Sequence, residues 1–412
     1  MTQFPFGLLL TLFLSVPGHA QTNVHTTNTH VFKESIPLLS SRMDILKQSR
    51  MSNDYNHEVI FAIKQKNMEE LTRFLHDVSD PSSDIYGQHM TRAAVANLTS
   101  DPQGRETVLE YLYAAGATVI AETLGGEYIT ATAPITVWEK MFKCEFYMFH
   151  QTQENDIIKK VVRTESYSIP AVLNNHVDSV FNTVEMPHEN VIKARLGGTI
   201  AEKFNLQDVS NTTPPKLRTA YNMGTSKGSA SSTQCVYAYS SQFYSPNDLS
   251  QFQAAYGIDS QTVSTVIGGH ESSSVCVSTP DYCNEGNLDI QCIMAASPVS
   301  PTTFWHTDII SFSEWLTTVA NTPKPALVFS ISYGVGEVYV TASERDSFNT
   351  QAIKLGAMGV TIVVASGDDG ALSRNTRASA TTCRYSPVFP ASSLYVTAVG
   401  ATMVSPPLDV KF

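Results

Sequence analysis

The stretch GVTIVVASGDDG, residues 359–370, decides the fold class of the second half of the chain. It is an almost continuous apolar run, rich in β-branched residues, that ends in glycine and two acids. Similar runs occur at 326–334, ALVFSISYG, and at 393–400, SLYVTAVG. Runs of this kind that alternate with helical segments indicate an α/β fold, with a mostly parallel sheet covered by helices on both faces. Because ligands bind at the carboxyl ends of such strands, the pattern places Asp368 at a candidate site.

A second group of acids lies in EGNLDIQCIMAAS, residues 285–297, which is predicted to be helical. Glu285 and Asp289 are four residues apart and therefore share one helix face. On an exposed face they would be a common, mildly unfavourable like-charge pair. In a cleft, one carboxyl would take up a proton while the other stays a base able to work in acid. For Asp368 two interpretations stay open, a helix N-cap or a protonated carboxyl that donates a hydrogen bond to an oxyanion.

The first half of the chain has a different pattern. Between about residues 55 and 190, strand-like and helical segments alternate as in a ferredoxin-like, split βαβ arrangement, and CEFYMFHQ at 144–151 is predicted to be the last strand. Residues 21–54 are expected to be irregular. Residues 187–215 contain glycines and end in a proline pair, and they are interpreted as an exposed linker in which a precursor is cut.

Composition limits the class of protein. The chain has 412 residues, of which 42% are hydrophobic and 16% charged, so it is expected to form two or three globular domains. A net charge of -11 argues against nucleic-acid binding. The first 20 residues, MTQFPFGLLLTLFLSVPGHA, are predicted to be a secretory signal peptide, because the apolar stretch is too short for a membrane anchor.

Secretion agrees with two further features. Asn97 and Asn211 begin glycosylation triplets. Six cysteines permit disulfides in an oxidising compartment; Cys276 and Cys283 are close enough to close a small loop, but the sequence does not choose a pairing. No cysteine pair has zinc-site spacing with histidines, and no metal cluster is expected in this chain.

Several blocks occur in an order that resembles the sedolisins, the serine-carboxyl peptidases, and among them the tripeptidyl-peptidase I type. The resemblance extends from about residue 55 to residue 402. Its blocks are SDPSSDIYGQHM (79–90), TPPKLRTAYNMG (213–224), QFYSPNDLSQFQAAYGI (242–258), EGNLDIQ (285–291), SISYG (330–334), ASGDDG (365–370) and FPASSLYVTAVGAT (389–402).

The resemblance implies a subtilisin-like peptidase domain preceded by a ferredoxin-like activation prodomain. Glu285 would be the general base for a serine nucleophile, Asp289 would orient and polarise Glu285, and Asp368 would line the oxyanion hole. The implied boundaries are a signal peptide at 1–20, an N-terminal segment at 21–54, the prodomain at 55–186, the linker at 187–215 and the peptidase domain at 216–412.

The implied partners are a peptide or protein substrate and the chain's own prodomain, with no nucleic acid or membrane, in an extracellular or lysosome-like acidic compartment. Acid is expected to release the prodomain by weakening carboxylate pairing, before cleavage within the linker.

The sequence departs from the family in one respect. The family's Gly-Thr-Ser-Ala-type segment is expected well downstream of ASGDDG, and the sequence reaches Phe412 without one. Ser226 precedes the acids and continues into a turn, and Ser405 is followed by two prolines, so neither is expected to be the nucleophile. The calcium ligands of full-length relatives are also expected beyond residue 412.

The 412 residues alone are therefore expected to be inactive. They would be either a truncated form of an active peptidase or a non-catalytic relative that binds peptides. A dinucleotide-binding domain is a poor alternative, because Gly268-Gly269 lacks the fingerprint spacing.

Overall fold

The computed structural model describes residues 29–37, 42, 44–152, 158–187, 212–239, 242–308, 311–371 and 385–401, and the backbone of strands at 403–405 and 409–411. The predicted signal peptide, Asn211 and nearly all of the predicted linker lie outside these residues.

The first unit is built mainly of antiparallel strands. Its strands are β1 (His30–Ser35), β2 (Ile45–Arg50), β3 (Asn56–Ile63), β4 (Thr118–Glu122), β5 (Tyr128–Pro134), β6 (Tyr147–Thr152), β7 (Ile158–Arg163), β8 (Ser166–Pro170) and β9 (Val177–Phe181). Its helices are α1 (Met68–Ser79), α2 (Arg92–Thr99), α3 (Pro102–Ala114) and α4 (Ile135–Phe142), with a 3-10 turn at Ala171–Leu173.

The main sheet of this unit has the order β4-β5-β3-β9, and its neighbours are antiparallel. In chain order these four strands are β3, β4, β5 and β9, so the order in the sheet is 2-3-1-4. Helices lie between β3 and β4 and between β5 and β9. This is the ferredoxin-like arrangement that the alternation predicts. Helices α3 and α4 place Val108, Leu112, Trp138 and Phe142 in the core over Phe61 of β3.

Two sequence expectations for this unit differ from the structure. The segment expected to be irregular contains β1, which pairs with β8, and β2, which pairs with β6. Strand β6 is not the last strand, since β7, β8 and β9 follow it. In β2 only Ile45 is buried, so this strand shows none of the apolar alternation by which a half-buried strand is recognised.

The second unit alternates strands and helices. Its strands are β10 (Gln234–Tyr239), β11 (Thr265–Ile267), β12 (Thr302–Thr307), β13 (Val328–Ile331), β14 (Val335–Gly336), β15 (Thr361–Ala365), β16 (Val388–Phe389), β17 (Thr397–Val399), β18 (Met403–Ser405) and β19 (Asp409–Lys411). Its helices are α5 (Pro214–Ala220), α6 (Pro246–Ala255), α7 (Ser273–Ser278), α8 (Asn284–Ala296), α9 (Phe312–Asn321) and α10 (Ala342–Ala357), with 3-10 turns at Pro280–Tyr282 and Glu337–Tyr339.

Six of these strands form a parallel sheet in the order β11-β12-β10-β13-β15-β17. Alternate residues of β10 face opposite sides: Cys235 and Tyr237 pack in one cluster with α9 and α10, whereas Val236 and Ala238 pack in another with α6 and α8. Helices therefore cover both faces, and the predicted α/β fold is confirmed.

Other predictions for this unit meet mixed outcomes. In α10 the predicted core positions Phe348, Ala352 and Leu355 are buried. Pro214 and Pro215 begin α5 rather than close a linker, because proline suits the first turn of a helix. Ser405 ends β18, where it pairs with Asp409 of β19, and does not lie in a loop.

The two units contact each other through α10. Tyr128 of β5 hydrogen-bonds Ser347 across the interface at 2.6 Å. Lys354 pairs with Glu127 at 2.7 Å. An apolar cluster that includes Leu71, Val95 and Ile353 lies beside these polar contacts. No helix in the described ranges is long and apolar enough to cross a membrane.

Candidate active site

The start of helix α8 is fixed by the loop before α6. The Glu285 N–H donates to Oε1 of Gln242 at 3.1 Å. The side chain of Asn287 accepts a hydrogen bond from the Ser245 N–H at 2.8 Å and donates one to Asp248 at 3.2 Å. Because these bonds join α8 to the loop before α6 and to the first turn of α6, some 40 residues earlier in the chain, they determine where the first turn of α8, and with it Glu285, lies.

Gly286 allows this close approach. A Cβ atom added at Gly286 would lie 2.1 Å from the carbonyl oxygen of Phe243, far inside contact distance. Just before the helix, Cys276 and Cys283 form a disulfide, which is the pair that the spacing made feasible. The helix start is thus held on one side by the loop and on the other by a covalent bridge.

Glu285 is buried, and Asp289, one turn further along α8, is half-buried. Glu285 is only 5% exposed. Burial raises the pKa of Asp289 well above its ordinary range, and the charge of Glu285 raises it further. The opposing influence is a hydrogen bond that the Ser332 hydroxyl donates to Asp289 Oδ1 at 2.8 Å. The exposed like-charge interpretation of the pair is therefore wrong, and the buried alternative describes the geometry.

One cavity of about 230 Å³ brings together all three acids that the sequence singled out. Glu285 and Asp289 form part of its wall, and Asp368, which follows β15, lines it from the neighbouring strand end. The other lining residues are Leu288, Ser332, Tyr333, Gly334, Ala365, Gly367 and Val388. Asp368 itself is exposed, unlike the buried neutral carboxyl that its oxyanion interpretation envisages.

A larger cavity of about 480 Å³ lies between the two units and includes Arg163, Glu185 and Glu314 but none of the three predicted acids. The positions of the three acids therefore locate the candidate site, whereas the size of the cavity does not.

The remaining sequence candidates lie elsewhere. Ser226 is exposed just after a turn and is not among the cavity-lining residues, and His270 is exposed beside the ring of Tyr244. Trp305 and Trp315 are core residues. Among the described residues, no group of three or more histidine, cysteine or acidic side chains could hold a metal ion.

Sequence reasoning missed Ser332, Gly286 and Gln242 as parts of the site. Ser332 stands in the quoted block SISYG and Gly286 stands between the two acids, yet neither carries a local signal of its contact. The contacts span 43 residues in each case, from 332 to 289 and from 286 to 243, so only the tertiary structure shows them.

Comparison with known proteins shows which families this chain is similar to. Residues 44–186 match the family model "Pro-kumamolisin, activation domain". The chain is 28% identical to human tripeptidyl-peptidase 1 over 364 residues, which cover 84% of this chain and 62% of that protein. It is 26% identical to tripeptidyl-peptidase 1 of Dictyostelium discoideum over 415 residues, covering 90% of this chain and 66% of that protein. The resemblance to the sedolisin family, tripeptidyl-peptidase 1 type, is confirmed.

The matches cover only part of each relative. The chain spans 62% of the length of its human relative, so that protein's activity is not carried over as a finding. A solved Pseudomonas sedolisin, in complex with pseudo-iodotyrostatin, matches 48% of this chain and 55% of its own with 22% identity and a TM-score of 0.37. The family model matches from residue 44 onward, and the matched range therefore includes β2.

Proposed function

We propose that Glu285, Asp289 and Asp368 belong to the apparatus of a serine-type peptidase that works in acid and releases tripeptides from the N-termini of peptides. The observation that carries this proposal is the burial of Glu285 beside Asp289 in a cavity that Asp368 also lines. The resemblance to tripeptidyl-peptidase 1 supports the substrate class.

Acid–base chemistry explains why a carboxyl pair suits this role. Two close, buried carboxyls cannot both ionise cheaply, so one holds a proton while the other acts as base. Burial and the neighbouring charge of Glu285 both raise the pKa of Asp289, so we assign the proton to Asp289 and the role of base to Glu285. A carboxylate base remains available at a pH where histidine would already be protonated.

We further propose that the 412 residues do not complete the reaction on their own. The serine in the cavity, Ser332, donates to Asp289 and not to the proposed base. The Gly-Thr-Ser-Ala-type segment that the family resemblance implies is not found in the sequence. Loss of the nucleophile from such an apparatus removes most of the rate.

The test is a tripeptide-release assay on the purified chain between pH 3 and pH 6, with products identified by mass spectrometry. We expect no turnover by the chain or by Glu285→Gln. Lys227→Gln, at an exposed residue, is the control. Robust turnover that is retained in Lys227→Gln and lost in Glu285→Gln would overturn the proposed inactivity and support Glu285 as the base. Turnover unaffected by Glu285→Gln would overturn the assignment of the base.

The alternative is a non-catalytic, peptide-binding relative. The cavity has an apolar wall of Leu288, Ala365 and Val388 beside its acids, which is a surface that a peptide side chain can contact. Titration calorimetry with a peptide that has a free N-terminus separates the alternatives. Binding without turnover by the protein isolated from its native source would favour the binding protein.

The remaining proposals concern context. Residues 44–186 would be the prodomain that docks on α10 until the linker is cut. The chain would enter the secretory pathway and act in an acidic compartment. Asn97 is exposed on α2 and is accessible to a glycan. Peptide mapping of the secreted protein would locate the cut and test whether Asn97 is modified.

A further inference from the structure

Ser332 lies where a side chain can be held rigidly. It directly follows β13, whose neighbours are β10 on one side and β15 on the other, so the strand is internal to the parallel sheet. From this position its hydroxyl donates to Oδ1 of Asp289 on α8, at 2.8 Å. The contact therefore ties the acid pair on the helix to the centre of the sheet.

The second oxygen of Asp289 is in a different situation. Oδ2 is buried, and no N–H or O–H donor among the described residues reaches it. A buried, ionised carboxylate oxygen without a hydrogen-bond donor would cost free energy, whereas a protonated oxygen can itself donate a hydrogen bond. The neighbouring acceptor is Glu285, whose charge acts on Asp289.

We propose that Ser332 is a positioning residue that fixes Asp289 with Oδ1 toward the sheet. The proton shared by the pair then stays on Oδ2, which donates a hydrogen bond to Glu285. The inference rests on the proposed function and adds a residue to it. Without the Ser332 hydroxyl, the Asp289 carboxyl could turn and exchange its two oxygens. The hydrogen bond that holds Glu285 would then have no fixed direction.

Three other titratable groups in the described part of the chain lie near Asp289. Cys292 lies on the same helix, Tyr333 follows Ser332, and Asp368 lines the same cavity. Burial, together with the charges of Asp289 and Glu285, raises the pKa of both Cys292 and Tyr333. Both therefore stay neutral in acid, and the Ser332 hydroxyl is the hydrogen-bond donor that lowers the pKa of Asp289.

The experiment is a carbon-13 NMR titration of the full chain carrying labelled Asp and Glu side-chain carboxyls. Glu285→Gln and Asp289→Asn assign the signals of the pair. We expect Ser332→Ala to raise the upper of the two apparent midpoints by about one pH unit, because it removes a hydrogen bond to a charged acceptor. Ser332→Thr keeps a hydroxyl and is expected to restore the parent midpoints.

Ser330→Ala is the matched control. Ser330 lies two residues earlier, within β13, and is not among the cavity-lining residues. Unchanged midpoints in Ser332→Ala, or an equal shift in Ser330→Ala, would overturn the proposal. If Ser332→Ala fails to fold, Ser332→Cys keeps the size with a weaker donor, and an unshifted titration of that variant would overturn it equally.

The titration needs no turnover, so it is independent of whether the chain hydrolyses peptides. A peptidase that loses activity in Glu285→Gln but shows no Ser332 effect would keep the proposed function and lose this inference. A clear shift of the midpoint in Ser332→Ala, in a chain that neither binds nor cuts peptides, would keep this inference and overturn the proposed function.

Discussion

Replacing Lys354 with methionine is expected to weaken the docking of the two units. Lys354 lies on α10, its side chain is 9% exposed, and its Nζ is 2.7 Å from Glu127 Oε1, whose side chain is 11% exposed. Lys354 also donates to the side chain of Gln65 at 3.4 Å. Removing one partner leaves a buried charge without compensation, and such changes cost about 3–5 kcal/mol.

The assay is urea unfolding at pH 6.5, followed by tryptophan fluorescence. Trp138 reports on the first unit, and Trp305 and Trp315 report on the second. We expect Lys354→Met to lower the free energy of unfolding by about 3 kcal/mol, the lower end of that range, because a buried carboxylate can relax toward water.

Two controls make this prediction specific. Combining Lys354→Met with Glu127→Met replaces both charges by apolar groups and is expected to recover most of the loss, since such replacements are often neutral. Lys227→Met breaks the exposed pair with Asp259 and is expected to have no measurable effect. A single variant as stable as the parent, or a double variant as unstable as the single, would refute the reasoning.

The same pair bears on how acid acts at the interface. Burial alone would raise the pKa of Glu127, but Lys354 outweighs it and holds the pKa below its ordinary 4.5. A depressed pKa stabilises docking above 4.5 and loses that contribution as the pH falls through the lowered value. This pair therefore weakens only in strong acid.

Two other buried carboxyls act in the opposite direction. Burial raises the pKa of Glu185 to about 8 and that of Glu344 to about 7. Glu185 of the first unit and Glu344 of the second also act on each other across the interface. A raised pKa contributes stability that is present below 4.5 and lost as the pH rises through 7 to 8. Mild acid is thus expected to tighten docking, which restricts the expected acid release of the prodomain to pH values below about 4.5.

Three further predictions concern single features. Gly286→Ala is expected to cost about 1–3 kcal/mol and to displace Glu285, because its Cβ would collide with a backbone carbonyl; thermal unfolding and the carboxyl titration measure both effects. Cys276→Ser with Cys283→Ser is expected to cost about 2.5 kcal/mol from the lost loop constraint, and reductant should lower the parent's urea midpoint to match. Glu344→Gln is expected to flatten the fall of stability between pH 5 and pH 8, so an unchanged slope would show that another group causes it.

The parts of the fold that the sequence predicts are those with a local signal. In α10, Phe348, Ala352 and Leu355 recur at helical spacing and are buried together, because the side that they share faces the sheet. The β-branched runs of β13 and β15 likewise mark internal strands. Strand β2 escapes prediction because it is an edge strand whose side chains beyond Ile45 face solvent.

The candidate site divides in the same way. A spacing of four residues is enough to put Glu285 and Asp289 on one face of a helix, and an apolar run that ends in acids is enough to put Asp368 at a strand end. Ser332 decides instead which oxygen of Asp289 accepts a hydrogen bond, and the two residues are 43 positions apart in the chain. In the sequence, Ser332 cannot be distinguished from any other serine at the end of a strand. Local sequence can therefore indicate which acids form the site. Which oxygen of Asp289 carries the proton depends on burial and on the distant donor Ser332, and these follow only from the packing of helix α8 on the sheet.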